Sequence, residues 1–331
     1  MDLSTSYLGL ALPHPFVAGA SPLSDTVERC QHLAAAGIAA IVLRSLFEEQ
    51  IAQEALAHHQ AVFGHTEAHG EARTYLPAAD DSVFGPDQYL AHLRAVKRAV
   101  PVPVIASLNG HTESGWIDYG KRIEDAGADA LELNLYSVAT DTGESGAEVE
   151  DRAVMIVRQV ARSLRIPVAV KLSPFYTSLP HFALRLREAG ATGLVLFNRF
   201  FEPDLDLEAL ELHTHMDLSH RSELLLRLRW LALLSGQVDV ELAVSGGVHT
   251  ATDAIKAVMC GAHCVQLVSA LLKGGAERTS TLCAEVRRWL QDHGYESLRQ
   301  MRGSMDHSRS PDPKALERAN YMRALQTYRV D

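Results

Sequence analysis

At 331 residues, 47% apolar and 22% charged, the chain has the composition of a soluble globular protein long enough for one large barrel with insertions. A formal charge of −10 without any basic stripe argues against a nucleic-acid backbone as main partner. No apolar run reaches the roughly 18 residues of a membrane span, and the first residues carry no secretory leader, so a cytoplasmic protein without membrane contact is expected.

In chain order, a strand is expected over residues 16–20, ending at Ala20 and Ser21, then a helix over 25–36. The strand 39–43 delivers Arg44 and Ser45, and an insertion of about 60–86 precedes a helix over 87–99. The strand 102–107 runs on to Asn109 and is followed by a helix over 116–126. The strand 130–135 carries Asn134, with a helix over 148–164 after it. The strand 167–172 carries Lys171 and precedes a helix over 179–189. The strand 193–197 ends at Asn198 and Arg199, and a second insertion, 199–222, leads to a helix over 223–234. The strand 241–244 runs into Ser245, Gly246 and Gly247, with a helix over 252–260 beyond them. The last strand, 264–268, ends at Val268 and Ser269, and a helix over 278–293 leads to a tail of 294–331 that turns helical near Lys314.

Four helices end on a glycine that opens the next strand: Ala36-Gly37, Ala126-Gly127, Ala189-Gly190 and Cys260-Gly261. Glycine takes the left-handed C′ conformation cheaply, so it stops the helix there. Strands alternating with helices in this rhythm predict an α/β fold, a (β/α)₈ TIM barrel with insertions in its βα loops, as one domain over 1–331. Cys30, Cys260, Cys264 and Cys283 lack Cys-x-x-Cys spacing and read as buried thiols, with no metal site expected.

Active sites of such barrels lie at the C-terminal ends of the strands, where the polar residues above converge. Ser245-Gly246-Gly247 after the seventh strand and Val268-Ser269 after the eighth form a phosphate site in this reading: glycines allow close backbone approach, and the helix that follows offers unpaired N–H groups. A plain turn is the alternative for two glycines alone. Lys171 ends an apolar strand, and a buried ammonium is costly without an anion. Either it makes a buried salt bridge, or it stands beside a ring that gains negative charge, as a flavin does at its N1–O2 edge on reduction. A carboxamide offers both donor and acceptor to such a ring edge, and Asn109, Asn134 and Asn198 stand at three strand ends.

Taken together, these segments resemble the dihydroorotate dehydrogenase family of FMN-dependent barrels. The resemblance rests on Leu8-Gly9-Leu10, Pro15-Phe16-Val17 with Ala20-Ser21, Glu132-Leu133-Asn134, Val170-Lys171-Leu172, Ser245-Gly246-Gly247 and Val265-Gln266-Leu267-Val268-Ser269, in that order. It implies FMN surrounded by Ala20, Ser21, Ser45, Asn134, Lys171, Asn198, Gly246, Gly247, Val268 and Ser269. It also implies a base at Ser137, in Asn134-Leu135-Tyr136-Ser137-Val138. The substrate half departs from the family's pattern. Tyr136 replaces a small residue, no proline follows Ser137, and Ala139 stands where an asparagine is expected. Arg44-Ser45 stands in place of lysine with threonine or serine, and Arg199 follows Asn198 in place of a hydroxyl residue.

The resulting expectation is an FMN-dependent oxidoreductase acting on a CH–CH bond of dihydroorotate or a related small anionic molecule. Ser137 and Lys171 are its catalytic residues, and Arg44, Asn134, Asn198 and Arg199 contact substrate. No strand–GxGxxG–helix unit is visible, so a soluble electron acceptor is expected, and a homodimer is kept open. Two alternatives stand beside it: a flavin-free phosphate-binding isomerase or lyase, and a non-catalytic or differently specific FMN barrel.

Overall fold

The structure, a computed structural model, describes residues 1–48, 85–110, 113–135, 138–199, 202–213 and 217–310, together with 313 and 325–327. A two-stranded hairpin comes first, β1 (Thr5–Tyr7) against β2 (Leu10–Leu12). Then follow β3 (Phe16–Ala18), β4 (Ile41–Val42), a short β5 (Leu46–Phe47), β6 (Val104–Asn109), β7 (Ala130–Asn134), β8 (Val168–Leu172) and β9 (Gly193–Leu196). A second hairpin, β10 (Asp204–Asp206) with β11 (Glu211–His213), precedes β12 (Glu241–Ser245) and β13 (Cys264–Leu267).

All pairings of the main sheet are parallel, and β4 pairs with both β3 and β6, which closes the ring β3-β4-β6-β7-β8-β9-β12-β13. Eight parallel strands in a closed ring, with helices between them, are the (β/α)₈ barrel that the sequence predicts. Each strand and helix expected between residues 16 and 293 is present, shifted by no more than a few residues at its ends. The four helix-stopping glycines, Gly37, Gly127, Gly190 and Gly261, have φ of 88°, 94°, 110° and 111°, the left-handed backbone the reading required. Three of the four thiols are buried and Cys260 is half-buried, and burial lifts Cys30, Cys260 and Cys283 to about 11.

Strand alternation splits the core in two. Residues such as Leu131, Leu133, Val170 and Leu172 point outward to the helices, while Val42, Ile105, Ala130, Ala169, Val195, Ala243 and Cys264 fill the barrel. Small residues dominate that interior, and Tyr7, Leu8 and Leu12 of the first hairpin plug it from below. The plug turns on Leu8 and Gly9, both left-handed with φ of 55° and 69°. Residues 60–84 of the first insertion lie outside the described residues, and so do most of 314–331, where only 325–327 are described and are helical. The second insertion carries the hairpin β10–β11, which the sequence reading did not anticipate.

Candidate active site

The mouth of the barrel is assembled by the same alternation. Two residues before a strand-end candidate, the side chain points into the same interior, one layer deeper. Asn109 is thus preceded by Ser107, Asn134 by Glu132, and Val268 by Gln266. These three deeper residues are buried, and the sequence reading passed over them. The signal was available, because each falls at i−2 from a residue already singled out.

Asn134, 2% exposed, is the hub. Its amide donates to Ser45 Oγ at 2.7 Å and to Ser107 Oγ at 3.0 Å, and the two hydroxyls bond one another at 2.8 Å. Its carbonyl oxygen is buried with no protein partner, an acceptor that wants an N–H or O–H donor. Asn109 lies in register with Asn134, and Asn134 with Lys171, so these candidates stand side by side across β6, β7 and β8.

Lys171 is buried and its Nζ stands 3.3 Å from Glu132 Oε1. Gln266 donates to the other oxygen of the same carboxylate. The buried salt bridge weighed from sequence is therefore present, and its partner is a residue one layer below. An ammonium carries three donors, so an anion on the mouth side is compatible with this pairing. Gly19, after β3, stands across the ring from β8. A Cβ there would lie 2.9 Å from Val268 Cγ2, so the ends of β3 and β13 approach closely only with glycine at that place. Ser21 turns its hydroxyl back to Gly19 O at 2.9 Å, while Ala20 is partly buried against the barrel interior.

Next to β13, after β12, Gly246 and Gly247 have φ of 85° and 79°. The Gly247 N–H donates to Ser219 Oγ at 3.2 Å, and that hydroxyl bonds Ser269 Oγ at 2.9 Å. The two halves of the expected phosphate site therefore do meet, bridged by Ser219 from the second insertion. The helix Ala251–Met259 is capped: Thr250 Oγ1 accepts from Asp253 N, while the Asp253 carboxylate accepts from His249 N, Thr250 N and Thr250 Oγ1 and is itself paired with Arg221. Hydrogen bonds to Arg221 and Thr250 outweigh burial and hold its carboxyl below the usual range. Arg227, also unforeseen, is buried behind the glycines, donating from Nε to Ser245 O and from Nη1 to Glu223 O. Burial pushes its guanidinium down from its ordinary value.

The two arginines assigned to substrate are both engaged. Arg44 pairs with Asp25 at 3.3 Å and Arg199 with Glu223 at 2.8 Å. Arg199 nevertheless keeps a buried Nε without a hydrogen-bond partner. Asn198 is anchored by its backbone N–H to Leu172 O at 2.8 Å. Ser137 lies outside the described residues. A groove lined by Gly9, Arg187, Thr192, Gln237 and His263 opens at the other end of the barrel and includes none of these groups. Among the described residues no cluster of metal ligands occurs, and no helix is long and apolar enough to cross a membrane.

Residues 82–290 match the family model described as dihydroorotate dehydrogenase, and the chain belongs to that family. It is 31% identical over 206 residues to a putative dihydroorotate dehydrogenase A (fumarate) of Aeropyrum pernix, covering 61% of this chain and 67% of that protein. It is 24% identical over 318 residues to the catalytic subunit of a dihydroorotate dehydrogenase B (NAD(+)) of Thermoplasma acidophilum, covering 91% and 98%. It is 22% identical over 333 residues to the NAD-dependent dihydropyrimidine dehydrogenase subunit PreA of Escherichia coli K12, covering 94% and 78%.

Proposed function

We propose that the chain is an FMN-dependent dehydrogenase acting on a CH–CH bond of a small, planar, anionic substrate of the dihydropyrimidine kind, with dihydroorotate the first candidate. The observation that carries this reading is Lys171, an ammonium held inside the barrel beside Asn134, whose carbonyl oxygen has no protein partner. The residues fit FMN. A small-residue wall where β3 meets β13 at Gly19, a left-handed glycine pair bridged to Ser269, and a buried acceptor without a partner on Asn134 suit a flat ring with a phosphate tail.

In this reading Ser245, Gly246, Gly247 and Ser269 hold the phosphate, and Ala20, Ser21 and Val268 line the ring. Asn109, Asn134, Asn198 and Ser45 serve its polar edge. When bound, FMN would supply the two-electron acceptor for the substrate's hydride. Lys171 would donate to whichever edge gathers negative charge, in a setting where water competes little. Ser137 would take the substrate proton, with help from a neighbouring group because an unassisted hydroxyl is a weak base. Both arginines are paired with carboxylates, and Arg199 is favoured for binding a substrate carboxylate because its buried Nε has no hydrogen-bond partner. Electrons then leave to an acceptor outside the chain. Reconstitution with FMN followed by anaerobic titration with dihydroorotate, dihydrouracil and dihydrothymine tests the reading. Bleaching by one of them supports it, and a chain that binds no FMN ends it.

A further inference from the structure

Two opposite charges lie inside the barrel almost without solvent, Glu132 at 1% and Lys171 at 6% side-chain exposure. We infer that Glu132 is a positioning residue for Lys171: its carboxylate, pinned by the Gln266 amide, fixes where the ammonium stands and offsets its charge. Glu132 therefore limits how strongly the lysine favours an electron-rich ring above it. This inference rests on the flavin reading and adds a residue that the reading leaves without a role.

The geometry separates three layers. Ala130, Glu132 and Asn134 point inward in turn along β7, and Asn134, not Glu132, is level with Lys171 on β8. Lys171 thus reaches down to Glu132 Oε1 while Asn134 stands beside it at the mouth. Gln266 anchors the carboxylate from β13, and Gln266 is itself confined, since a Cβ on Gly19 would lie 3.3 Å from its own Cβ. From β6, Ser107 is level with Glu132, and its hydroxyl serves Asn134 and Ser45.

The other titratable groups near Glu132 do not share its charge. Burial first, and the charge of Glu132 among the lesser causes, push the Tyr7 and Tyr89 hydroxyls and the Cys264 thiol above their ordinary values, so all three stay neutral. Glu241 is occupied at the lower rim by Ser6 Oγ and Gly9 N. The pair therefore stands as one positive and one negative charge in a neutral interior. Removing either partner from such a pair leaves the other uncompensated, and the survivor then tends to neutralise. With Glu132 gone, the lysine gives up its proton more easily and its position is no longer fixed. With Lys171 gone, Glu132 takes up a proton.

The test uses the full chain with Glu132→Gln, which keeps the shape and removes the charge, and Glu132→Asp, which keeps the charge. Without flavin, the Lys171 ammonium followed by nitrogen-detected NMR should ionise about tenfold more readily in Glu132→Gln and near the wild-type pH in Glu132→Asp. With FMN bound, Glu132→Gln should shift the reduction equilibrium about tenfold toward the reduced form, or about 30 mV for a two-electron couple. In a Lys171→Met background the same substitution should shift it less than twofold. Should Glu132→Gln fail to fold, Gln266→Met releases the carboxylate and should move both readouts the same way, about threefold. Lysine ionisation unchanged within twofold in a folded variant overturns the inference. A chain that binds no flavin overturns the flavin reading instead, and the lysine titration still decides the role of Glu132.

Discussion

The two ends of the barrel differ in where their polar groups find partners. At the floor, Glu241 accepts from Ser6 Oγ at 2.6 Å and Gly9 N at 3.3 Å, Thr5 donates to His263 O at 2.9 Å and Arg302 donates to Thr5 at 2.6 Å, while Tyr7 Oη and Arg302 Nε stay buried without a hydrogen-bond partner. At the mouth, Asn134 Oδ1, Gln266 Oε1 and Arg199 Nε are buried with no hydrogen-bond partner. Leaving a buried polar atom unpaired costs about 1–3 kcal/mol. In this architecture the C-terminal ends of the strands carry the ligand and the other end carries stability, so under the proposed function a ligand supplies the bonds that the mouth atoms lack.

The largest effect that would break this contrast is acid sensitivity at the floor. Burial first, with Arg302 adding to it, holds His263 down to about 4. The unfolded chain takes up that proton near the ordinary 6.5, so the neutral folded form is favoured above about 6.5 and loses its advantage as pH falls toward 4. About 3 kcal/mol of stability should disappear across that window. Urea unfolding of wild type and His263→Asn between these pH values checks it, the variant losing correspondingly less. An equal loss in both would place the acid sensitivity elsewhere.

The next effect sharpens the contrast at the mouth. A Cβ on Gly247 would lie 2.6 Å from the Leu224 backbone nitrogen, at a φ of 79° that side chains rarely adopt. Gly247→Ala should therefore displace the phosphate loop and weaken FMN binding about 100-fold, roughly two charge-assisted hydrogen bonds, while riboflavin binding changes little. Fluorescence titrations with both ligands measure it, and equal losses for both would show that Gly247 serves the fold alone.

The smallest effect runs the other way. A Cβ on Gly193 would lie 2.6 Å from Leu8 Cδ2, against the plug of the floor. Gly193→Ala should cost about 1–2 kcal/mol by overpacking and leave FMN affinity unchanged. A weakened FMN site in this variant would mean that the two ends are not independent.

Much of this was legible in the sequence because it depends on local rules. Gly37, Gly127, Gly190 and Gly261 stop helices by their own backbone preference, and the strand ends that carry Asn109, Asn134, Lys171 and Ser269 follow from short apolar runs. The contacts that matter most at the site are not local. Glu132 meets Gln266 across 134 positions and Ser219 meets Ser269 across 50, and no periodicity announces either pairing. Glu132 and Gln266 were still within reach, since both share a face with a residue already chosen. Ser219 and Arg227 were not, because an insertion and the helix after it can fold onto a barrel in many ways. The capping of the helix Ala251–Met259 shows the converse: Thr250 followed three residues later by Asp253 is a capping box readable from local spacing alone.

The central claim is that this mouth holds FMN and passes it a hydride from a dihydropyrimidine-like acid. Anaerobic stopped flow on the FMN-loaded chain addresses it directly, with wild type and Ser137→Ala mixed with the substrate that bleaches best. The account predicts rapid bleaching in wild type, slowed about 100-fold or more in Ser137→Ala, the usual scale of a lost acid–base group, with reoxidation unaffected. Bleaching at the same rate in both would remove Ser137 from the reaction, and a chain that stays colourless in excess FMN would contradict the account itself.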